Sequence, residues 1–365
     1  MKDEIIEQNL LDEYNKMVEE DAILPIKITS FYMKKIKEEI KNIGTGGPLY
    51  KSVLPLKEKI EIKTSVETRD YVEEFKHMPV KNADYIIQKY KDRVLVIITD
   101  ICFSHCQYCF RTYNLSAFQR SNMKETIKRK IETLKEYLEK HQEIKEIILS
   151  GGDPISIGYD NLKYVLSELK NYNIRIHTRS IVYEPSAITS EIIELLKNYN
   201  VRLVFHINHP YEIDCDVEEK IDEIYSNGIR MYAQFPLIRG INDNANVLKI
   251  LLEKMDQLHI RPLSIFIADP ITYSAAFRIK LKRIIDIINE VNWTTPSWIN
   301  SVRFTMDTTI GKVRIENIIS WEGNHIVFSR EGQTVDYYDL DDGIDEPTPL
   351  EKLLWKKNRL YKGGK

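Results

Sequence analysis

Six short apolar runs, separated by segments with helical periodicity, constrain this chain more than any other feature. The first is Val94-Leu-Val-Ile-Ile98, apolar at every position. Side chains alternate sides along a strand, so such a run is buried on both faces, as in a parallel sheet. Helix-like and strand-like segments then alternate: 124–141 before 146–150, 161–172 before 174–178, and 190–198 before 201–208. The pattern continues with 217–228 before 230–236 and 245–258 before 261–267. Repeated strand–helix units of this length predict an α/β fold with right-handed crossovers, as a barrel or an open sheet. Six strands fall short of the eight of a complete TIM barrel.

The polar residues that stand out follow these strands: Gly151, Gly152 and Asp153, then Arg179, His206 to His209, Gln234 and Asp269. In parallel α/β folds that edge is where sites are built. Before the first strand the chain reads as helices with irregular connections, over 10–19 and 30–43, with a breaker cluster at 44–48. Residues 301–341 read as short β strands (326–329 and 334–338), 339–345 as an acidic turn, and the final stretch as a basic tail. This divides the chain into a helical extension (1–90), a catalytic region (91–312) and a C-terminal extension (313–365).

A formal net charge of −3 over 365 residues gives no global positive field for nucleic acid. Mixed Lys/Glu runs such as 124–140 read as solvated helix faces. No segment approaches the roughly 18 apolar residues of a membrane span, and residues 1–20 do not read as a signal peptide. Of four cysteines, three fall within eight residues, which predicts a metal or redox role in a reducing cytoplasm rather than a disulfide framework.

That cluster is Cys102-Phe-Ser-His-Cys106-Gln-Tyr-Cys109, directly after the first buried strand. Thiolates are the usual ligands of iron–sulfur clusters. Three of them leave one iron of a [4Fe–4S] cluster open to the amino and carboxylate groups of a methionine moiety. A zinc site would want a fourth Cys or a His; His105 lies in the loop, and Cys215, the remaining cysteine, reads as a plain surface or half-buried thiol.

This loop resembles the radical S-adenosylmethionine superfamily. The resemblance implies a partial (β/α)6 TIM-type barrel, with Tyr108 near the adenine and Ser150-Gly-Gly-Asp153 receiving the methionyl amino group. Asp153 would accept from that ammonium. A narrower resemblance, to the lysine 2,3-aminomutases, is carried by Leu24-Pro-Ile-Lys-Ile-Thr-Ser-Phe-Tyr32, Lys91-Asp-Arg-Val-Leu95, Arg175-Ile-His-Thr-Arg179, Phe205-His-Ile-Asn-His-Pro210, residues 234–242 and Phe277-Arg278. It runs from about residue 20 to about residue 330 and implies pyridoxal 5′-phosphate beside S-adenosylmethionine.

Residue by residue, the resemblance implies that Lys89, Tyr90 and Arg93 hold the coenzyme phosphate, with Lys89 standing where the family has arginine. Lys312, in Thr309-Ile-Gly-Lys312, would anchor the coenzyme from a loop two residues shorter than the family's. Arg111 would pair with the substrate carboxylate, and Asp269 and Asp307 with a side-chain ammonium. His206 and Gln234 match polar positions around S-adenosylmethionine and the coenzyme. No cysteine follows Cys215, so the family's C-terminal zinc cluster is missing, and a homo-oligomer would rest on packing.

The implied activity is a 2,3-aminomutase for a basic amino acid, L-lysine first, fed by an electron donor of ferredoxin or flavodoxin type. An arginine or ornithine 2,3-aminomutase fits the same aspartates. A coenzyme-independent radical enzyme modifying a protein or peptide is a further reading. An iron–sulfur electron carrier has no use for the open iron and the convergent charges.

Overall fold

The computed structural model describes residues 5–20, 22–112 and 123–356. Four helices open the chain: α1 (Gln8–Glu19), α2 (Ser30–Ile43), α3 (Pro48–Val53) and α4 (Lys57–Glu61). Thr29 starts α2, its backbone extended and its hydroxyl accepting from the Tyr32 amide, and Gly44 ends it at φ 77°.

The predicted barrel strands form one sheet. β1 (Ile86–Tyr90) pairs antiparallel with β2 (Arg93–Thr99). From β2 the sheet runs parallel through β3 (Glu146–Gly151), β4 (Asn173–Thr178), β5 (Arg202–Phe205), β6 (Arg230–Leu237), β7 (Ile260–Ile267) and β8 (Arg303–Thr308). Antiparallel β9 (Gly311–Val313) closes the order. Each strand pairs with the next in sequence, and β1 and β9 are the two edges, so this is a partial TIM-type barrel.

Helices α5 (Met123–Lys140), α6 (Gly158–Glu168), α7 (Ser180–Tyr183), α8 (Ser190–Asn198), α9 (Cys215–Ser226), α10 (Ala245–Gln257) and α11 (Leu281–Thr294) connect the parallel strands. Their apolar stripes are buried against the sheet. In α10, for example, Leu248, Leu251, Leu252 and Met255 are fully covered. The continuous apolar run of β2 is buried as expected at Val94, Val96, Ile97 and Ile98. No helix among the described residues is long and apolar enough to cross a membrane.

Two features depart from the sequence reading. β8 is a seventh parallel strand, not one of the short C-terminal strands; its sequence Arg-Phe-Thr-Met-Asp-Thr breaks the apolar run with residues that face the interior. Residues 86–90, assigned above to the helical extension, are the edge strand β1.

Beyond the barrel, β10 (Ile318–Glu322), β11 (His325–Arg330) and β12 (Gln333–Tyr338) form a small antiparallel sheet, followed by α12 (Leu350–Leu353). The predicted acidic turn is an ionic clamp. Arg283 Nε donates to Asp345 at 2.8 Å and its Nη1 to Asp243 at 2.9 Å, while buried Arg278 donates to Tyr337 Oη and to the Tyr338 carbonyl. The basic tail lies outside the described residues.

Candidate active site

A cavity of about 1270 Å³ occupies the barrel, and every side chain singled out above as a site residue lines it. The cysteine loop leaves β2 and is held from behind by the N-terminal helices. The Thr29 amide donates to Ser104 Oγ (3.2 Å), the His105 amide to the Lys27 carbonyl (2.9 Å) and the Gln107 amide to the Ser52 carbonyl (2.9 Å). The side chains of Cys102, Cys106 and Cys109 therefore converge on the cavity rather than on solvent. Burial pushes all three thiols up, Cys109 to about 12, and Cys102 and Cys109 are raised further by the charge of Cys106. Among the described residues no three His, Cys, Asp or Glu side chains approach closely enough to hold a single ion.

Gly151 and Gly152 end β3 beside that loop. A Cβ on Gly152 would lie 2.2 Å from the Ile101 carbonyl, and one on Gly151, at φ 121°, would lie 2.3 Å from the Thr99 carbonyl. The close approach these glycines allow is thus to the chain's own backbone, with Gly152 N and Asp153 N each donating at 2.7 Å to Thr99 O and Ile101 O. The Asp153 carboxylate was expected to meet a ligand's ammonium. It accepts instead from Thr178 Oγ1 (2.8 and 2.9 Å) and from the amides of Arg179 (2.8 Å) and Ile155 (3.1 Å), pinning the ends of β3 and β4 together.

Tyr108 stands in a buried polar frame. Its hydroxyl meets Arg179 Nη1 and accepts from Asn208 Nδ2 at 2.5 Å, and its ring lies 6.0 Å from those of His206 and Phe277. Glu212, absent from the sequence reading, carries this frame: it pairs with Arg179 and accepts from Tyr32 Oη (2.8 Å) and the Asn208 amide (2.7 Å). Burial, and then Arg179, hold the His206 imidazole well below its usual range, so it is neutral.

On the far side, β8 and β9 make a tight hairpin in which Asp307 pairs directly with Lys312. This explains the short predicted loop. Lys312 Nζ lies 2.9 Å from Asp307 Oδ2 and 4.3 Å from the centre of the Phe266 ring. Lys89 is turned to the same carboxylate (3.1 Å) and to the Thr308 carbonyl (2.5 Å). Burial works against the Asp307 charge, but the two lysines together outweigh it and hold its pKa below the usual value. Asp269 has no such partner among the described residues. Burial, then the charge of Asp307, push it up to about 8.

Arg111 forms a two-pronged pair with Glu74, from Nη2 at 2.6 Å and Nε at 3.2 Å, while its Nη1 reaches Ser150 Oγ at 3.0 Å. Glu74 comes from an irregular segment before β1 that gave no sequence signal. At the opposite end of the cavity Arg93 lies over the Tyr90 ring at 5.1 Å and pairs with Asp92. Here the strand starts add Arg175, Arg261 and Arg303, a cationic mouth that no sequence window reveals. Gln234 lines the cavity from β6 beside a register shift.

Residues 96–251 match the family model of the Radical SAM superfamily. The chain is 28% identical over 330 residues to the L-lysine 2,3-aminomutase of Methanococcus maripaludis, covering 88% of this chain and 73% of that protein. It is 28% identical over 284 residues to the enzyme of the same name from Buchnera aphidicola, covering 76% and 80%. A glutamate 2,3-aminomutase of Clostridioides difficile is 30% identical over 253 residues, covering 64% and 59%. Residues 96–251 thus form a radical SAM domain. Over most of its length the chain is lysine 2,3-aminomutase-like, an isomerase of the aminomutase type.

The cofactors this family implies are a [4Fe–4S] cluster, S-adenosylmethionine and pyridoxal phosphate, and the cavity has polar groups to receive them. Buried His206 Nε2 and Arg179 Nε have no hydrogen-bond partner beside Tyr108, and His177 Nε2 and Thr305 Oγ1 have none deeper in the barrel. Unpartnered buried polar atoms are rare in finished cores, so a polar ligand suits both places.

Proposed function

We propose that this chain is a pyridoxal-phosphate-dependent 2,3-aminomutase of basic amino acids, and that L-lysine, converted to β-lysine, is its first substrate. The observation that carries the choice of substrate is Asp269, a half-buried carboxyl on the cavity wall that forms no ion pair among the described residues and has Asp307 next to it; the charges of Lys312, Lys89 and Arg278 only partly offset burial and that neighbour. An amino acid with a side-chain ammonium supplies the missing charge. Glutamate would bring a third carboxylate to the same place, which costs several kcal/mol where water is excluded, on the order of a like-charge clash.

Cys102, Cys106 and Cys109 hold the cluster in this reading, and the turn Ser150 to Gly152 with Tyr108 and His206 bounds the S-adenosylmethionine. Lys312 anchors the coenzyme, and Lys89, Tyr90, Arg93 and Gln234 lie around it. The bound cofactors supply hydrogen-atom abstraction at the β carbon and a conjugated ring for the migrating amino group. Lys312 must first leave the Asp307 carboxylate, to which its Nζ donates at 2.9 Å. Arg111 receives the substrate carboxylate in the two-pronged geometry it now gives to Glu74. His177 and His206 stay neutral, so neither competes as a cation for the carboxylate.

A low-potential donor of ferredoxin or flavodoxin type and a cytoplasmic location belong to the same proposal, supported by the cluster's need for electrons and reduced thiols. The test offers lysine, ornithine, arginine and glutamate separately to the anaerobically reconstituted enzyme and resolves α and β isomers by mass-detected chromatography. A β isomer from lysine supports the proposal, and one from arginine or ornithine alone moves the substrate. No isomer from any, with 5′-deoxyadenosine still formed, would remove the aminomutase reading in favour of a coenzyme-independent radical enzyme.

A further inference from the structure

The side of the cysteine loop that faces away from the cavity is closed by a buried lysine. Lys59, on α4, is only 6% exposed. Its ammonium donates to Gln107 Oε1 at 3.0 Å and lies 6.0 Å from the centre of the Tyr14 ring. Gln107 stands between the ligands Cys106 and Cys109 and cannot swing away. Its Nε2 donates to Tyr14 Oη (2.9 Å) and to the Val53 carbonyl (3.2 Å), and Tyr14 Oη donates in turn to the Leu24 carbonyl (2.7 Å).

A buried ammonium ordinarily has a carboxylate beside it, because an unpaired ion loses several kcal/mol of hydration in the interior. Lys59 forms no ion pair with a carboxylate among the described residues. Burial pulls its pKa down to about 7, and the neighbours that work against that loss of charge are Cys109 and Cys106. Three thiolates on a [4Fe–4S] core make a net anion, and such a group is the largest local charge in its site. The lysine is thus placed as if its counter-ion were the cluster.

We propose that Lys59 is the cluster's counter-charge, a buried ammonium behind Gln107 that favours the more negative reduced state and raises the cluster's reduction potential. The proposal rests on the reading of Cys102, Cys106 and Cys109 as cluster ligands. The step is a one-electron reduction by an added low-potential reductant such as dithionite. The electron enters the cluster, its charge falls by one, and no bond is made or broken. Net charge and hydrogen bonding around a cluster are established determinants of its potential.

The experiment is a redox titration of the full chain, anaerobically reconstituted, followed by the electron paramagnetic resonance of the reduced cluster. Iron and sulfide are counted per chain beforehand. Lys59→Met and Lys59→Gln are compared with the wild type and with charge-keeping Lys59→Arg. The expected result is a midpoint shifted to more negative potential in both neutral variants and near the wild type in Lys59→Arg. Equal midpoints in fully loaded wild type and neutral variants would overturn the proposal. If the neutral variants fold by circular dichroism yet hold no cluster, loading of Lys59→Arg supports the counter-charge and its failure to load overturns it. A wild type that assembles no cluster would overturn the ligand reading itself, a result distinct from equal midpoints.

Discussion

Replacing Asp269 with asparagine tests the electrostatics of the substrate pocket. Its carboxyl titrates at about 8 because burial and the neighbouring Asp307 charge oppose ionisation. At pH 7, one unit lower, about a tenth of the free enzyme carries the charge, a penalty of about 1.4 kcal/mol to any cation that requires it. At pH 9 about nine tenths carries it. A hydrogen bond to a charged partner is worth about 1.5–3 kcal/mol, so asparagine lowers kcat/KM for lysine by about 10- to 150-fold at pH 9. At pH 7 the wild type has itself lost most of that advantage, and the deficit shrinks by about tenfold. The ratio of wild type to variant cancels the titrations both enzymes share, including those of substrate and cofactors. The assay is initial-rate β-lysine formation at five pH values from 6.5 to about 9. Without substrate the sign for stability is opposite: a carboxyl raised from 3.8 to about 8 stabilises least once ionised, so wild-type stability falls relative to the variant as pH rises from about 4 to about 8 and levels off above that. A rate ratio that stays flat with pH would refute the reasoning.

Three other substitutions probe separate parts of the site. Lys312→Ala abolishes the absorption band at about 420 nm expected of the lysine-anchored coenzyme; a band that persists means another residue is the anchor. Glu74→Ala strips the buried Arg111 of its counter-charge and should lower the unfolding free energy by about 3 kcal/mol in urea titration. A midpoint within error of wild type would show that the pair contributes nothing to stability. Gly152→Ala drives a Cβ against the Ile101 carbonyl at 2.2 Å, next to Cys102, and should cost about 3 kcal/mol and reduce iron content after reconstitution. Full iron loading and unchanged stability would mean that the backbone there yields freely.

Much of the barrel was legible because its signals are local. The apolar run Val94 to Ile98 and the helical segments that alternate with strands read out one element at a time. So did the cysteine spacing after β2. β8 escaped because Thr305 and Asp307 face the interior and break its apolar run, so a strand lining a polar cavity looked like a loop edge. The harder failures are long-range. Glu74 meets Arg111 from 37 positions away and Lys59 meets Gln107 from 48, each across an irregular or short helical segment with no pattern of its own. The cationic mouth exists only because parallel strands bring Arg93, Arg175, Arg261 and Arg303 to one end. Asp153 shows what a short motif leaves out. A carboxylate after a Gly-Gly turn suggested a ligand contact, but Thr178 and two backbone amides use its acceptors within the fold.

The central claim is that one cavity moves the α-amino group of a basic amino acid to the adjacent carbon. The most direct measurement incubates the anaerobically reconstituted enzyme with L-lysine labelled with nitrogen-15 at the α position and locates the label by nuclear magnetic resonance. The account predicts the label on carbon 3 of β-lysine, and no such product from Cys106→Ala. Labelled nitrogen remaining wholly on carbon 2, in an enzyme that still cleaves S-adenosylmethionine, would contradict it.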